Sequence, residues 1–145
     1  MHRLILPGDW SEYSCNKSIN RAKNSKHVYN SKRKKAEHDI GVYIHQQLAG
    51  VRIDQPFAFV MEFYCRNRTT DPSNLHFLSK HVLDEAQNSR LITGDGWKQV
   101  AGNIHYEYFV DVSRPRVEIF FLCGVVLRVR ALDIYNRHLA KTTNE

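Results

Sequence analysis

The run from Pro72 to about Asn88 constrains the fold more than any other part of the chain. Leu75, Leu78, Val82 and Ala86 recur at steps of three or four, which draws one apolar stripe along a helix and obliges it to lie on a core. Asp71-Pro72 supplies its start, with Asp at the N-cap and Pro at the first helical position. Upstream, Pro56 to Cys65 (PFAFVMEFYC) is aromatic and β-branched enough to be a strand, with Phe57, Phe59, Phe63 and Tyr64 read as core on one face. Downstream, Ile104 to Val110 and Val117 to Leu122 fit two further strands, joined through Ser113-Arg114-Pro115 in the manner of a hairpin. Arg3 to Pro7 (RLILP) is a short first strand ending at a Pro-Gly turn. A second helix is expected from about Ser31 to Leu48, closed by Gly50, although Gly41 in its middle weakens it. The order β, α, β, α, β, β predicts a small α+β domain, helices laid on a mixed or mostly antiparallel sheet.

A chain of 145 residues buries a proper core and is most simply one domain. We expect that domain over residues 1–122, with 123–145 as a helical or flexible extension. No apolar run has spanning length and no charged-then-apolar leader opens the sequence, so a soluble cytoplasmic protein is expected. Cys15, Cys65 and Cys123 are odd in number and far apart, which reads as free thiols in a reducing compartment.

The charge is uneven. Lys17, Arg21, Lys23, Lys26, Lys32, Arg33, Lys34 and Lys35 fall between Tyr13 and Ala36 with no acid among them. The remaining 13 basic residues face 15 acidic ones, so the rest of the chain carries −2 while this segment carries +8. Such a localised basic stretch points to a polyanion, and the interleaved Asn16, Asn20, Asn24, Tyr29 and Asn30 can bond phosphates and sugars. A membrane surface is disfavoured, because no amphipathic apolar face accompanies the charge. Residues 9–30 lack apolar periodicity and read as a long polar loop.

Two acids bracket the clearest helix. Asp71 opens it after a strand, and Asp95 sits between Gly94 and Gly96 in the loop beyond it. A strand end and a following helix–loop can return two carboxylates to one place, where Mg²⁺ is commonly held by one or two carboxylates plus substrate phosphate. By spacing alone, helix capping and turn chemistry account for both acids better than a metal site does. Ser73, Phe77, Lys80 and Asp84 share a helical face, so Lys80 either pairs with Asp84 or reaches a phosphate. Asn74 can orient an acid or a phosphate through its amide. His76 and His81, five apart, share no face for a metal and are read as solvent or interface residues. Trp97 is read as a core or interface aromatic, and Tyr106 and Tyr108 as part of a half-buried strand whose outer face could pack a dimer partner.

Taken in order, DPSNLHFLSKHVLDEAQNSRLITGDGWKQVAG resembles the RusA family of phage and prophage Holliday junction resolvases. That family's signature runs Asp-x-Asp-Asn, a lysine, an Asp four residues later, then a loop with an Asp-Asp pair. Asp71, Asn74, Lys80, Asp84 and Asp95 take the first acid, the asparagine, the lysine, the helical acid and the second loop acid. Gly96-Trp97-Lys98 and the strand ending Leu6-Pro7 also fit, so the resemblance covers most of residues 3–122. It implies a homodimer that binds branched, four-way DNA in recombination and repair, and cuts it by paired nicks with Mg²⁺ (or Mn²⁺). Asp71, Asp95 and Lys80 would be the catalytic residues, and Asp71, Asp95 and Ser73 the metal's neighbours. Asn74 and Asp84 would support them, and the basic stretch would hold phosphates. Ser73 stands where the pattern has its second acid and Gly94 where it has the first loop acid. A hydroxyl is a much poorer Mg²⁺ ligand than a carboxylate, so weakened metal affinity and slow cleavage are expected, with junction binding kept.

Overall fold

The computed structural model describes residues 1–100 and 104–123; the expected extension at 124–145 lies outside the described residues. Strand β1 (His2–Pro7) leads through a 3₁₀ turn (Ser11–Tyr13) to helices α1 (Cys15–Asn24) and α2 (Lys26–Leu48). Then come β2 (Phe57–Cys65), α3 (Pro72–Leu75), α4 (Phe77–Asn88), α5 (Trp97–Val100), β3 (Ile104–Val110) and β4 (Arg116–Cys123). The four strands form one mixed sheet in the order β1-β4-β2-β3, which makes this an α+β fold.

The expected β3–β4 hairpin does not form. β3 pairs with β2 in parallel, and β4 crosses to the far side of β2, where it runs antiparallel to both β2 and β1. The reason lies in β2. Every residue from Phe57 to Phe63 is buried, on both faces, so this strand belongs in the interior of the sheet with a neighbour along each edge. Two inter-strand spacings come to about 9.6 Å, which the short link from Val110 to Arg116 spans easily.

Alternation sorts the strands into two faces. Leu4 and Leu6, then Val117, Ile119 and Phe121, then Phe57, Phe59, Met61 and Phe63 all belong to the main core. The rings of Phe57 and Phe59 each lie 5.5 Å from that of Phe121. Tyr64, one residue out of phase with Phe63, points to the opposite face and so leaves the core side on which it was expected. Ala36, Ile40, Ile44 and Leu48 of α2 and the predicted stripe of Leu75, Leu78, Val82 and Ala86 complete the core.

Gly41, awkward in sequence, lies where α2 packs on α4. A Cβ there would stand 2.6 Å from Glu85 Oε1, so a larger residue is accommodated by a shift of that carboxylate. Gly50, at φ 75°, ends α2 as expected. The outer edge of β1 is blunted by α2, since Gln47 Oε1 accepts from the Ile5 N–H (2.8 Å) and its amide donates to Ile5 O (2.7 Å).

His81 is a core residue, not the solvent or interface residue expected. It is 4% exposed between α4 and α2, with Nδ1 lacking a hydrogen-bond partner and 3.6 Å from Glu37 Oε1. Burial, with Arg33 adding to it, pushes its pKa below the usual 6.5, while Glu37 and Asp84 oppose the shift. A base held below its ordinary pKa when folded protonates first in the unfolded chain, so acidification through pH 6.5 erodes stability. Urea midpoints should therefore fall between pH 7.5 and 5.5, and His81→Gln should flatten the fall. The flattening is partial, because burial also lowers the pKa of His76. An unchanged slope in His81→Gln would remove this residue from the account.

Candidate nucleic-acid interface and acid site

The β2–β3 crossover places the acids. Asp71 is the N-cap of α3 with Pro72 behind it, as the sequence predicts, yet its carboxylate makes no capping hydrogen bond. The Asn74 N–H instead reaches the main-chain oxygen of Asp71 at 3.0 Å. The carboxylate is left exposed to solvent, beside an exposed Ser73 and a half-buried Asn74.

The single helix expected over 72–88 is two, separated by a turn at His76. His76 is half-buried rather than free in solvent. Its ring stacks on Tyr106 with centroids 3.8 Å apart, and its Nε2 hydrogen-bonds the Tyr108 hydroxyl. The Ser79 hydroxyl donates to His76 O (2.7 Å), and the Tyr106 hydroxyl donates to Ser79 Oγ (3.1 Å). Burial lowers the His76 pKa and raises that of Tyr108, so a neutral imidazole meets a protonated phenol at neutral pH. The core-side rings of β3 thus fasten the start of α4 and with it the turn that carries Asp71.

Lys80 is paired with Asp84 across 3.3 Å, and with the lysine 67% exposed the pair contributes about 0.5 kcal/mol or less. Asp95 lies exposed in the loop between α4 and α5. The twelve residues of α4 put about 18 Å of helix between the turn of Asp71 and the start of that loop. Among the described residues, no group of three or more His, Cys, Asp or Glu side chains is arranged to hold a metal ion. The donors the sequence nominates are two carboxylates and one hydroxyl, a set that suits Mg²⁺ only where substrate phosphate and water supply the remaining ligands.

The basic stretch is helical from its start, where a loop was expected up to residue 30 and a helix only from about Ser31. α1 packs on α2 and also lies against α3, so the turn of Asp71, Ser73 and Asn74 sits beside the basic segment. In α2 no side chain before Ala36 is buried, so Lys26 to Lys35 form about 15 Å of helix outside the core, backed by α1. Glu12 holds this limb together, accepting from Arg21 and Lys32 at 3.3 Å each, while Arg21 also donates to Glu12 O at 2.7 Å. Arg33 pairs with Glu37 (2.9 Å) and Lys35 with Asp39 (2.8 Å). The partners lie just outside the acid-free run, at its two ends. Lys17, Lys23, Lys26 and Lys34 are exposed and make no ion pair among the described residues.

α1 falls inside the stretch expected to be a polar loop, because its local signals are weak. One signal was present: Ser25, the N-cap of α2, accepts from the Val28 N–H at 3.3 Å. The three cysteines are free and half-buried, and burial raises the pKa of Cys65 and of Cys123. Among the described residues no helix is long and apolar enough to cross a membrane. No protein-family model matches the chain, and no curated protein matches it.

Proposed function

We propose that this chain is an endodeoxyribonuclease of RusA type, dependent on Mg²⁺ or Mn²⁺, that resolves four-way DNA junctions as a homodimer in the cytoplasm of a bacterium or phage-infected cell. The observation that carries the reading is the Asp71 carboxylate. It heads the crossover helix, is not consumed by capping, and is flanked by a basic limb suited to holding phosphates. A dimer suits the task, because two symmetric cuts need two symmetric sites. Asp71 and Ser73 would hold the ion together with substrate phosphate and water, and Asp95, on the loop beyond α4, would complete the acid set where that loop reaches the same phosphate. The ion when bound supplies an activated water and stabilises charge on the phosphodiester. Asn74 orients the acid turn, and Lys80, tethered to Asp84, offers a cation to phosphate.

A second reading is favoured by Ser73, an exposed hydroxyl where the family pattern carries an acid. On that reading the protein binds branched nucleic acid and cuts it poorly. Cleavage of a synthetic four-way junction in Mg²⁺ and in Mn²⁺ separates the two. The native chain is expected to cut slowly, Ser73→Asp on the order of tenfold faster, and Asp71→Asn not at all. Brisk cutting by the native chain that Asp71→Asn leaves unslowed would show that the acid site is misplaced. Tight binding with no cutting in either the native chain or Ser73→Asp would establish the second reading.

A further inference from the structure

A groove of about 680 Å³ opens where the β2–α3 connection passes the end of β3. Asn67, Arg68, Thr70 and Pro72 line it together with Leu75, Tyr108 and Val110. Thr70 and Pro72 are the chain neighbours of Asp71, so the groove adjoins the acid turn directly. Its volume lies in the range of small-ligand sites, and its lining joins an apolar wall to a few polar groups. Arg68 is exposed and makes no ion pair among the described residues. Val110 is 47% exposed at the rim, a large apolar side chain left open to solvent. Asn67 already accepts from the Thr69 N–H (3.0 Å) and the Thr69 hydroxyl (2.6 Å), which holds the connection in a fixed bend and leaves its amide N–H₂ free to donate.

We propose that this groove is a nucleotide subsite, taking a nucleotide that unpairs at the branch point, next to the phosphate presented to Asp71. The base lies against Leu75, Tyr108 and Val110, and its phosphate meets the Arg68 guanidinium. The inference rests on the branched-DNA reading above, and it gives a physical basis for choosing a branch point over plain duplex: a pair at the crossover, where stacking is interrupted, opens at less cost than one inside a continuous helix. The basic limb supplies affinity for any duplex arm, and the groove supplies the preference for a branch point, whose end base opens at less cost.

The test uses the full chain in EDTA, so that binding is read without cleavage. Affinities are measured for a synthetic four-way junction and for a linear duplex of the same sequence, with the native chain, Arg68→Gln and Val110→Trp. Both residues are exposed, so neither change threatens the fold, and Val110→Trp fills the groove at its rim. Each variant is expected to bind the junction about tenfold more weakly while duplex affinity changes less than twofold. A 2-aminopurine at the crossover should change fluorescence on binding the native chain and not on binding Val110→Trp. If the native chain prefers the junction and both variants keep that preference, the groove is not the subsite, and the branched-DNA reading stands. If the native chain shows no junction preference, both fall.

Discussion

Replacing Lys17, Lys23, Lys26 and Lys34 together by glutamine is expected to weaken DNA binding about 1,000-fold at 0.15 M salt. Each lysine that meets a phosphate releases about 0.9 of a condensed counterion, so four should contribute about 3.6 to the slope of log K against log salt. Extrapolated from 1 M, that slope amounts to about three decades at 0.15 M. The four are chosen because they are exposed and carry no ion pair, whereas Arg21 and Lys32 are engaged by Glu12, Arg33 by Glu37 and Lys35 by Asp39. A paired base reaches a phosphate only by giving up its carboxylate, which returns part of the gain. Glutamines at the four paired positions should therefore lower thermal stability more, and the salt slope less, than glutamines at the unpaired four. Titrations at several salt concentrations read both effects. Equal slope losses for the two sets would mean that the ion pairs do not divide the limb, and an unchanged slope for the unpaired set would remove the limb from DNA binding.

Arg116→Ala is expected to destabilise the fold by about 3–5 kcal/mol, lowering Tm by about 10 °C. On the sheet face away from the main core, Glu118 lies opposite Glu62, and Glu62 lies opposite Glu107, so three glutamates line up across β4, β2 and β3. Directly opposed like charges are unfavourable, and Glu118 and Glu62 are only 5% and 6% exposed. Arg116 is a main compensation. Its Nε donates to Glu118 Oε1 (2.6 Å), and its Nη1 donates to Asp111 Oδ2 (2.7 Å) and Arg114 O (3.0 Å). The guanidinium carbon lies 3.6 Å from the centroid of the Tyr64 ring, and the Tyr64 hydroxyl donates to Glu62 Oε2 at 2.8 Å. Burial, then the bond to Glu62, raises the Tyr64 pKa, so that phenol remains a donor through the physiological range. Without Arg116, the ion-pair partner left to Glu118 among the described residues is half-exposed Arg3. Arg116→Lys keeps the charge and loses the forked geometry, so it should cost an intermediate amount. Adding Glu118→Leu to Arg116→Ala should restore much of the loss by removing the stranded carboxylate. Urea midpoints measure the series, and a cost under about 1 kcal/mol for Arg116→Ala would mark the network as a surface feature.

Much of the scaffold was legible because its signals are local. The stripe of Leu75, Leu78, Val82 and Ala86 needs only helical periodicity, and PFAFVMEFYC needs only β-propensity. Gly50 ending α2 and Asp71-Pro72 starting α3 are backbone chemistry confined to a few residues. The errors came where a distant partner decides. α1 and the first turns of α2 look like a loop because they bury little, and they gain support from Glu12 and from each other. His76 and His81 look like surface residues until Tyr106 and Tyr108 of β3 and Glu37 of α2 come to meet them.

The candidate site divides in the same way. The residue order from Asp71 to Asp95 and the basic run from Lys17 to Lys35 are properties of the sequence, as is the serine at position 73. By itself the sequence also determined the α+β class and the core stripe of the helical run after Asp71, since periodicity and capping act within a few residues. Only the tertiary structure decided that β4 inserts between β1 and β2, that half the basic side chains are engaged by acids, and that α1 stands beside the turn of Asp71. These outcomes depend on pairings between residues far apart in the chain, whose energies exist only once the sheet has brought them together.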